Sequence, residues 1–296
     1  MDILFDAKDL IESFYKEMWI TRLNLAKSCQ NPISDREKLL AAQRIIDRII
    51  FLYFLGSKKF IRMLDSSGKE HPLNIKGLME GLSRTPNCQI LLNQIFFDHL
   101  NNQTDRFFTA PKILQNYQLY IPFLNGGLFS EHHLTEISGS KTYSERQLSF
   151  NFNWFNLISV LNRYNWLIDD SLIEEGETGN LTPETLGYLY EKFVITIGAL
   201  SKVSLSDFTE DPEDLRIGNK KIGAFYTRDQ ITHYICANAI WNHLRQLHSE
   251  LAPFNQYKDF FNPETFPTIQ PKLKSQILES LIKITICDPA VGSGAF

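Results

Sequence analysis

The segment Asp288-Pro289-Ala290-Val291-Gly292-Ser293-Gly294-Ala295-Phe296 follows an apolar run, Ile284 to Cys287, and this junction constrains the fold more than any other feature of the chain. The run reads as a short buried strand. A strand that leads into Gly-x-Gly usually faces a ligand, because glycine admits positive φ and lets the backbone come close to a bound molecule. The free amides of such a turn hold a carboxylate or a phosphate. No helix or second strand follows Phe296 in the sequence, so the chain is expected to carry the start of a cofactor pocket without its remaining walls.

Upstream, Gly223-Ala224-Phe225-Tyr226-Thr227-Arg228 precedes a stretch in which Ile231, Tyr234 and Ile235 share one helical face. Thr227 suits the cap of that helix, with Phe225 and Tyr226 as core aromatics. Thr182 and Pro183 open another helix, along which Leu186, Leu189, Tyr190, Phe193, Val194 and Ile197 line one side. Between residues 39 and 55, Ala42, Ile46, Ile49, Ile50 and Tyr53 form a comparable stripe. Arg44 and Arg48, four apart on the other side, are expected to face solvent, with a phosphate as the alternative. Asn125-Gly126-Gly127 between apolar flanks reads as a tight turn.

Helices are expected near residues 6–28, 34–56, 88–102, 152–166, 182–199 and 272–282. Residues 201–222, with Asp207, Glu210, Asp211, Glu213 and Asp214, form an acidic join interrupted by proline. The expected division is a helical domain over 1–205 and a second domain starting at 206 and running to 296. Pro253, Pro263, Pro267 and Pro271 mark a loop-rich stretch ahead of the last helix.

With 296 residues, 43% of them hydrophobic, the chain can bury one or two sizeable cores. A net charge of −4 argues against a broad basic surface, so any DNA contact is expected to be a local patch. Cys29, Cys88, Cys236 and Cys287 form no Cys-x-x-Cys pair and are read as reduced, buried thiols. His132-His133 sits in a polar loop, and His243 and His248, five apart, do not stack on one helical face, so no metal is expected. The N-terminus has no basic start before an apolar stretch, and the Ile49–Leu55 run is too short to span a bilayer. A cytoplasmic protein with no membrane partner is expected.

The loop at 288–296 resembles the cofactor loop of adenine-specific DNA methyltransferases that use S-adenosylmethionine, with Val291 where the family usually has Cys. The segment at 223–228 resembles their Phe-Tyr-Thr-Pro motif, with Arg228 in place of the proline. Three further segments are similar to the region ahead of the methyltransferase domain in type IIG restriction-modification enzymes and related phage-defence methyltransferases. These are Ala42 to Leu55, Ile121-Pro122-Phe123-Leu124-Asn125-Gly126-Gly127-Leu128-Phe129, and Leu181 to Phe193.

The resemblance implies a mainly α N-terminal domain followed by the truncated start of an α/β Rossmann-like methyltransferase domain. It implies S-adenosylmethionine as cofactor, touched by Tyr226, Thr227, Asp288, Pro289, Ala290, Gly292, Gly294 and Phe296. DNA is the implied partner of the complete enzyme, which would methylate the exocyclic amine of a flipped adenine. The family's catalytic Asn-Pro-Pro-aromatic segment is not found: Asn31-Pro32-Ile33 and Asn262-Pro263-Glu264 lack the second proline and the ring. No catalytic residue is therefore assigned, and the downstream half of the methyltransferase is an expected partner. Asp35, Glu37 and Lys38 are wrongly spaced for a magnesium-dependent nuclease. The rival reading is a non-enzymatic helical module or split subunit that docks a protein or DNA. A nucleotide-binding ATPase is disfavoured because no Lys-Ser or Lys-Thr follows the glycines.

Overall fold

Two long helices, α1 (Asp2–Lys27) and α2 (Asp35–Ser57), pack together in the computed structural model, which describes residues 2–103, 105–124, 127–167, 180–181, 187, 189, 192–193, 204–209, 229–261 and 263–287. Helix α2 starts at a reciprocal cap. The Ser34 hydroxyl accepts from the Glu37 amide at 3.3 Å, and the Glu37 carboxylate accepts from the Ser34 amide at 3.2 Å. Phe14, Met18, Leu25, Ala41, Ala42, Ile46, Ile49 and Tyr53 are buried in one continuous core. Near the end of α2, a Cβ on Gly56 would lie 2.6 Å from Ile75 Cγ1, so only glycine lets α3 (Ile75–Ser83) start this close.

The expected helix over 88–102 is an α-helical turn, α4 (Cys88–Asn93), that continues as a π-helix over Gln94–Leu100. Ile95, Phe96, Phe97 and Leu100 of that stretch are all buried. The helix expected over 152–166 is shorter, α5 (Trp154–Leu161). It stops at Asn162, whose amide accepts from the Tyr53 hydroxyl at 2.7 Å and donates to the Lys76 carbonyl at 3.2 Å. Beyond it, β7 (Asn165–Trp166) pairs in parallel with β8 (Asn180–Leu181), a long-range pairing that helical spacing alone does not reveal. The 182–199 helix falls largely outside the described residues; Gly187, Leu189, Lys192 and Phe193 are helical, with Leu189 and Phe193 buried.

Short strands lie between the helices. A four-stranded antiparallel sheet has the order β2 (Glu70–His71), β1 (Arg62–Leu64), β4 (Gln118–Tyr120), β3 (Phe107–Phe108). Met63, Leu119 and Phe108 are in register on one face, where Leu119 and Phe108 are buried; Arg62, Tyr120 and Phe107 are in register on the other. A separate hairpin joins β5 (His133–Thr135) and β6 (Thr142–Ser144). The fold of the described residues is thus mainly helical with small sheets.

The chain divides into two compact units, Met1–Ala224 and Phe225–Phe296. Within the second, α6 (Asp229–Leu247), α7 (Tyr257–Phe260) and α8 (Pro271–Lys283) surround a small core of Trp241, Leu244, Leu251, Phe260 and Ile277. Aromatic edges hold it: Phe254, Phe261 and Phe266 all meet the Phe260 ring at 5.0–5.7 Å. No described helix is long and apolar enough to cross a membrane.

Candidate functional site

The expected cofactor residues Tyr226, Thr227, Asp288, Pro289, Ala290, Gly292, Gly294 and Phe296 lie outside the described residues. Their flanks do not. Helix α6 starts at Asp229, two positions after Thr227, and α8 ends at Lys283, five before Asp288. Trp241 and Leu244 of α6 and Ile277 of α8 share the small core, and His248 Nε2 lies 2.9 Å from Ser280 Oγ. Two helices that adjoin motifs some sixty residues apart in sequence therefore belong to one packed body.

One expectation for these flanks is corrected. Ile284–Cys287 is not a strand among the described residues: Ile284 is extended (φ −63°, ψ 135°), yet the segment has no ladder partner and Ile286 is 78% exposed. An apolar run becomes a strand only when a neighbour takes its amides and carbonyls, and all described strands lie between residues 62 and 181. Ile231, Tyr234 and Ile235 share a face of α6, as their spacing predicts, and that face is exposed. The packed face is the one carrying Trp241 and Leu244. On α8, Leu278 and Ile282 are exposed as well.

In the first unit the expectation for Arg44 and Arg48 is also corrected. Neither side chain simply faces water. Arg48 is buried, with its side chain 1% exposed, and Glu145 is buried beside it. Arg48 Nη2 donates to Glu145 Oε2 at 2.8 Å and to the Ser130 carbonyl at 3.0 Å, while Nε donates to the Leu128 carbonyl at 2.7 Å. Arg44 pairs with the other Glu145 oxygen. The Arg48 guanidinium also lies 4.8 Å from the Phe97 ring centroid. The apolar stripe on α2 exceeds one face, so the helix is enclosed and its arginines must find partners inside.

This cluster explains two of the recognised segments. The 42–55 segment supplies Arg44 and Arg48, and the 121–129 segment ends in a 3-10 turn, Gly127–Phe129, whose carbonyl at Leu128 receives Arg48. Asn125 and Gly126 lie outside the described residues. The two segments thus serve architecture here: a charged pin from helix to loop. Next to it, Asp47 accepts from Gln43 at 2.7 Å, and burial raises its carboxyl to about 6 against the pull of Gln43 and Arg22. Arg22 is fully buried, 4.5 Å from the Phe193 ring centroid, and burial lowers it to about 9.

The other weighed groups have structural roles. Asp35 accepts from the Leu205 amide at 2.8 Å and the Ser204 hydroxyl at 2.9 Å, which holds its carboxyl below the usual range, and Glu37 closes the α2 cap. Among the described residues no group of three His, Cys, Asp or Glu side chains is placed to hold a metal. Cys29 and Cys88 are buried and burial pushes the Cys88 thiol up to about 12. Cys236 is half-buried and Cys287 exposed, which corrects the expectation of four buried thiols. A groove of about 500 Å³ runs beside Gln89, Asn93 and residues 148–154. The Gln89 amide is already bound to the Leu148 carbonyl and the Phe150 amide, so the groove wall is a backbone clamp.

Compared with known proteins, the chain is similar to a protein of Methanocaldococcus jannaschii named "Putative type II restriction enzyme and methyltransferase RM.MjaORFECS2P", at 26% identity over 279 residues. The match covers 89% of this chain and 20% of that protein, so the chain spans about a fifth of its relative's length. No family model and no solved structure matches. Because the larger compact unit ends at Ala224 of 296 residues, a match over 89% of the chain reaches into both units.

Proposed function

We propose that this chain is the N-terminal part of a restriction-modification DNA methyltransferase that moves a methyl group from S-adenosylmethionine to the exocyclic amine of adenine. In this reading residues 1–205 are a helical lead-in domain and residues 206–296 begin a Rossmann-like methyltransferase domain. Tyr226, Thr227, Asp288, Pro289, Ala290, Gly292, Gly294 and Phe296 contact the cofactor, with the glycine amides on its methionine carboxylate. The observation that carries the proposal is the match, over 89% of the chain, to a protein named a putative type II restriction enzyme and methyltransferase; the loop resemblance at 288–296 is a separate, local support.

The bound cofactor would supply an activated methyl group, and the chain's part is to hold it. An acceptor for the adenine amine is supplied by further polypeptide carrying Asn-Pro-Pro-aromatic, a segment these 296 residues do not contain. The exposed faces of α6, with Ile231, Tyr234 and Ile235, and of α8, with Leu278 and Ile282, support this, since apolar faces of this kind pack against more protein.

Calorimetry with S-adenosylmethionine tests it. Weak binding to the 296 residues, strengthened by the polypeptide encoded immediately downstream and abolished by Gly292→Val, is expected. Tight binding to the chain alone would refute the shared pocket. No binding under either condition would refute the cofactor loop.

A further inference from the structure

We infer that the outer face of the four-stranded sheet binds an unpaired DNA strand. The face carries an in-register row from three strands: Phe107 on β3, Tyr120 on β4 and Arg62 on β1. Neighbouring strands are about 4.8 Å apart, so the row is about 10 Å long, with Phe107 as the ring open to a base and Arg62 at the other end for a phosphate. Phe107 is 51% exposed and meets the Tyr120 ring edge-on with centroids 5.8 Å apart. The Arg62 guanidinium lies 4.4 Å from the same Tyr120 centroid. The opposite face, with Leu119 and Phe108, is closed into the core, so the sheet is fixed while the Phe107 ring stays exposed beside a half-buried Tyr120.

Charge singles out the occupant. Arg62 also lines a cleft of about 640 Å³, together with Lys59, Lys76, His71 and Glu70. Glu70 is the one carboxylate in that lining. Asp65, nearby on the β1–β2 turn, keeps its charge while accepting from the Ser67 and Lys69 amides and lying 2.8 Å from His71, so the balance here is Lys59, Arg62 and Lys76 against Glu70 and Asp65. A chain of net charge −4 thus carries a small excess of lysine and arginine at the Arg62 end of the row, while Asp105 lies beside Phe107 at the other end. Rings that stack bases beside cations that follow phosphates are the working parts of single-strand binding surfaces. A duplex keeps its bases stacked inside and offers the rings nothing to stack on.

The inference deepens the methyltransferase reading, since such an enzyme works on a base removed from the stack, and it rests on that reading only for the choice of DNA. Its test contains no cofactor, so the two can fail separately. Fluorescence anisotropy of a labelled oligothymidylate is measured with the 296-residue chain, against the same label on a duplex and across a salt series. Binding of the single strand in preference to the duplex is expected. Phe107→Ala should weaken it roughly tenfold, the effect of one lost base stack, and Phe107→Trp should retain it. Lys59→Asn, which keeps the left-handed backbone at that position (φ 59°), should lower the slope of log K against log salt by about 0.7 if one phosphate contact is lost. Equal or tighter binding of the duplex, or an unchanged affinity in Phe107→Ala with an unchanged salt slope in Lys59→Asn, would overturn the inference. Should Phe107→Ala fail to fold by circular dichroism, the Phe107→Trp and Lys59→Asn results decide it.

Discussion

Arg48→Met removes a buried guanidinium of nearly matching length, and the structure sets the size of the loss. Three hydrogen bonds go, to Leu128 O, Ser130 O and Glu145 Oε2, and each involves the charged donor. Bonds of this kind contribute about 1.5–3 kcal/mol each when taken singly, but they share one group and are not additive. The two carbonyls are left without that donor and Glu145, itself buried, keeps Arg44 as its partner. Breaking a buried pair from one side costs about 3–5 kcal/mol, and the surviving Arg44 contact places Arg48→Met toward the lower half of that range. Glu145→Gln keeps the shape and loses both ion pairs, for about 2–3 kcal/mol. Urea denaturation of the single and double variants, followed by tryptophan fluorescence, measures both losses and their coupling. The double variant should lose at least about 1 kcal/mol less than the sum, because each change removes the same contact. A loss below about 1 kcal/mol for Arg48→Met, or strict additivity, would refute the role of Arg48 as a pin between α2 and the 128–130 loop.

Three further outcomes are expected. Because burial raises Asp47 to about 6 from its ordinary 3.8, the folded state binds that proton more tightly than the unfolded chain does. Stability from this group is therefore present below pH 3.8 and lost as pH rises through about 6. Asp47 keeps some solvent contact, so the effect is about 1–2 kcal/mol, and the stability difference between wild type and Asp47→Asn between pH 4 and 7 should show it; a pH-independent difference would contradict the assignment. Gly56→Ala gains about 1 kcal/mol of helix propensity but drives a methyl into Ile75 Cγ1 and Cβ, at 2.6 and 2.7 Å, so a net loss of about 1–2 kcal/mol is expected in thermal melts, and a stabilised variant would sink the close-approach argument. Brief iodoacetamide treatment of the folded chain, read by mass spectrometry, should modify Cys287 first and leave Cys29 and Cys88 untouched until denaturant is added; early labelling of Cys88 would contradict its burial.

Local pattern determined a good part of this protein. The spacing of Ala42, Ile46, Ile49, Ile50 and Tyr53 was enough to place α2, and Ser34 with Glu37 marks its start, because capping and helical periodicity involve residues within a turn or two of one another. The same holds for α8, expected over 272–282 and found over Pro271–Lys283. What the tertiary structure alone decided is which faces are covered. The stripe of Ile231, Tyr234 and Ile235 has the spacing of a core face and lies exposed, whereas Arg44 and Arg48 have the spacing of a wet face and are drawn inward by Glu145, about a hundred positions away. The row of Arg62, Tyr120 and Phe107 is equally invisible in sequence, since three strands of two or three residues carry too little periodicity to register and their pairing joins positions up to 58 apart. The motifs read from the sequence fall on both sides of this divide: the cofactor contacts proposed at 226–227 and 288–296 rest on local pattern alone, while the 42–55 and 121–129 segments are joined only when Arg48 reaches Leu128. Short-range order is written in neighbouring residues, and burial is a property of the partners that long-range folding brings together.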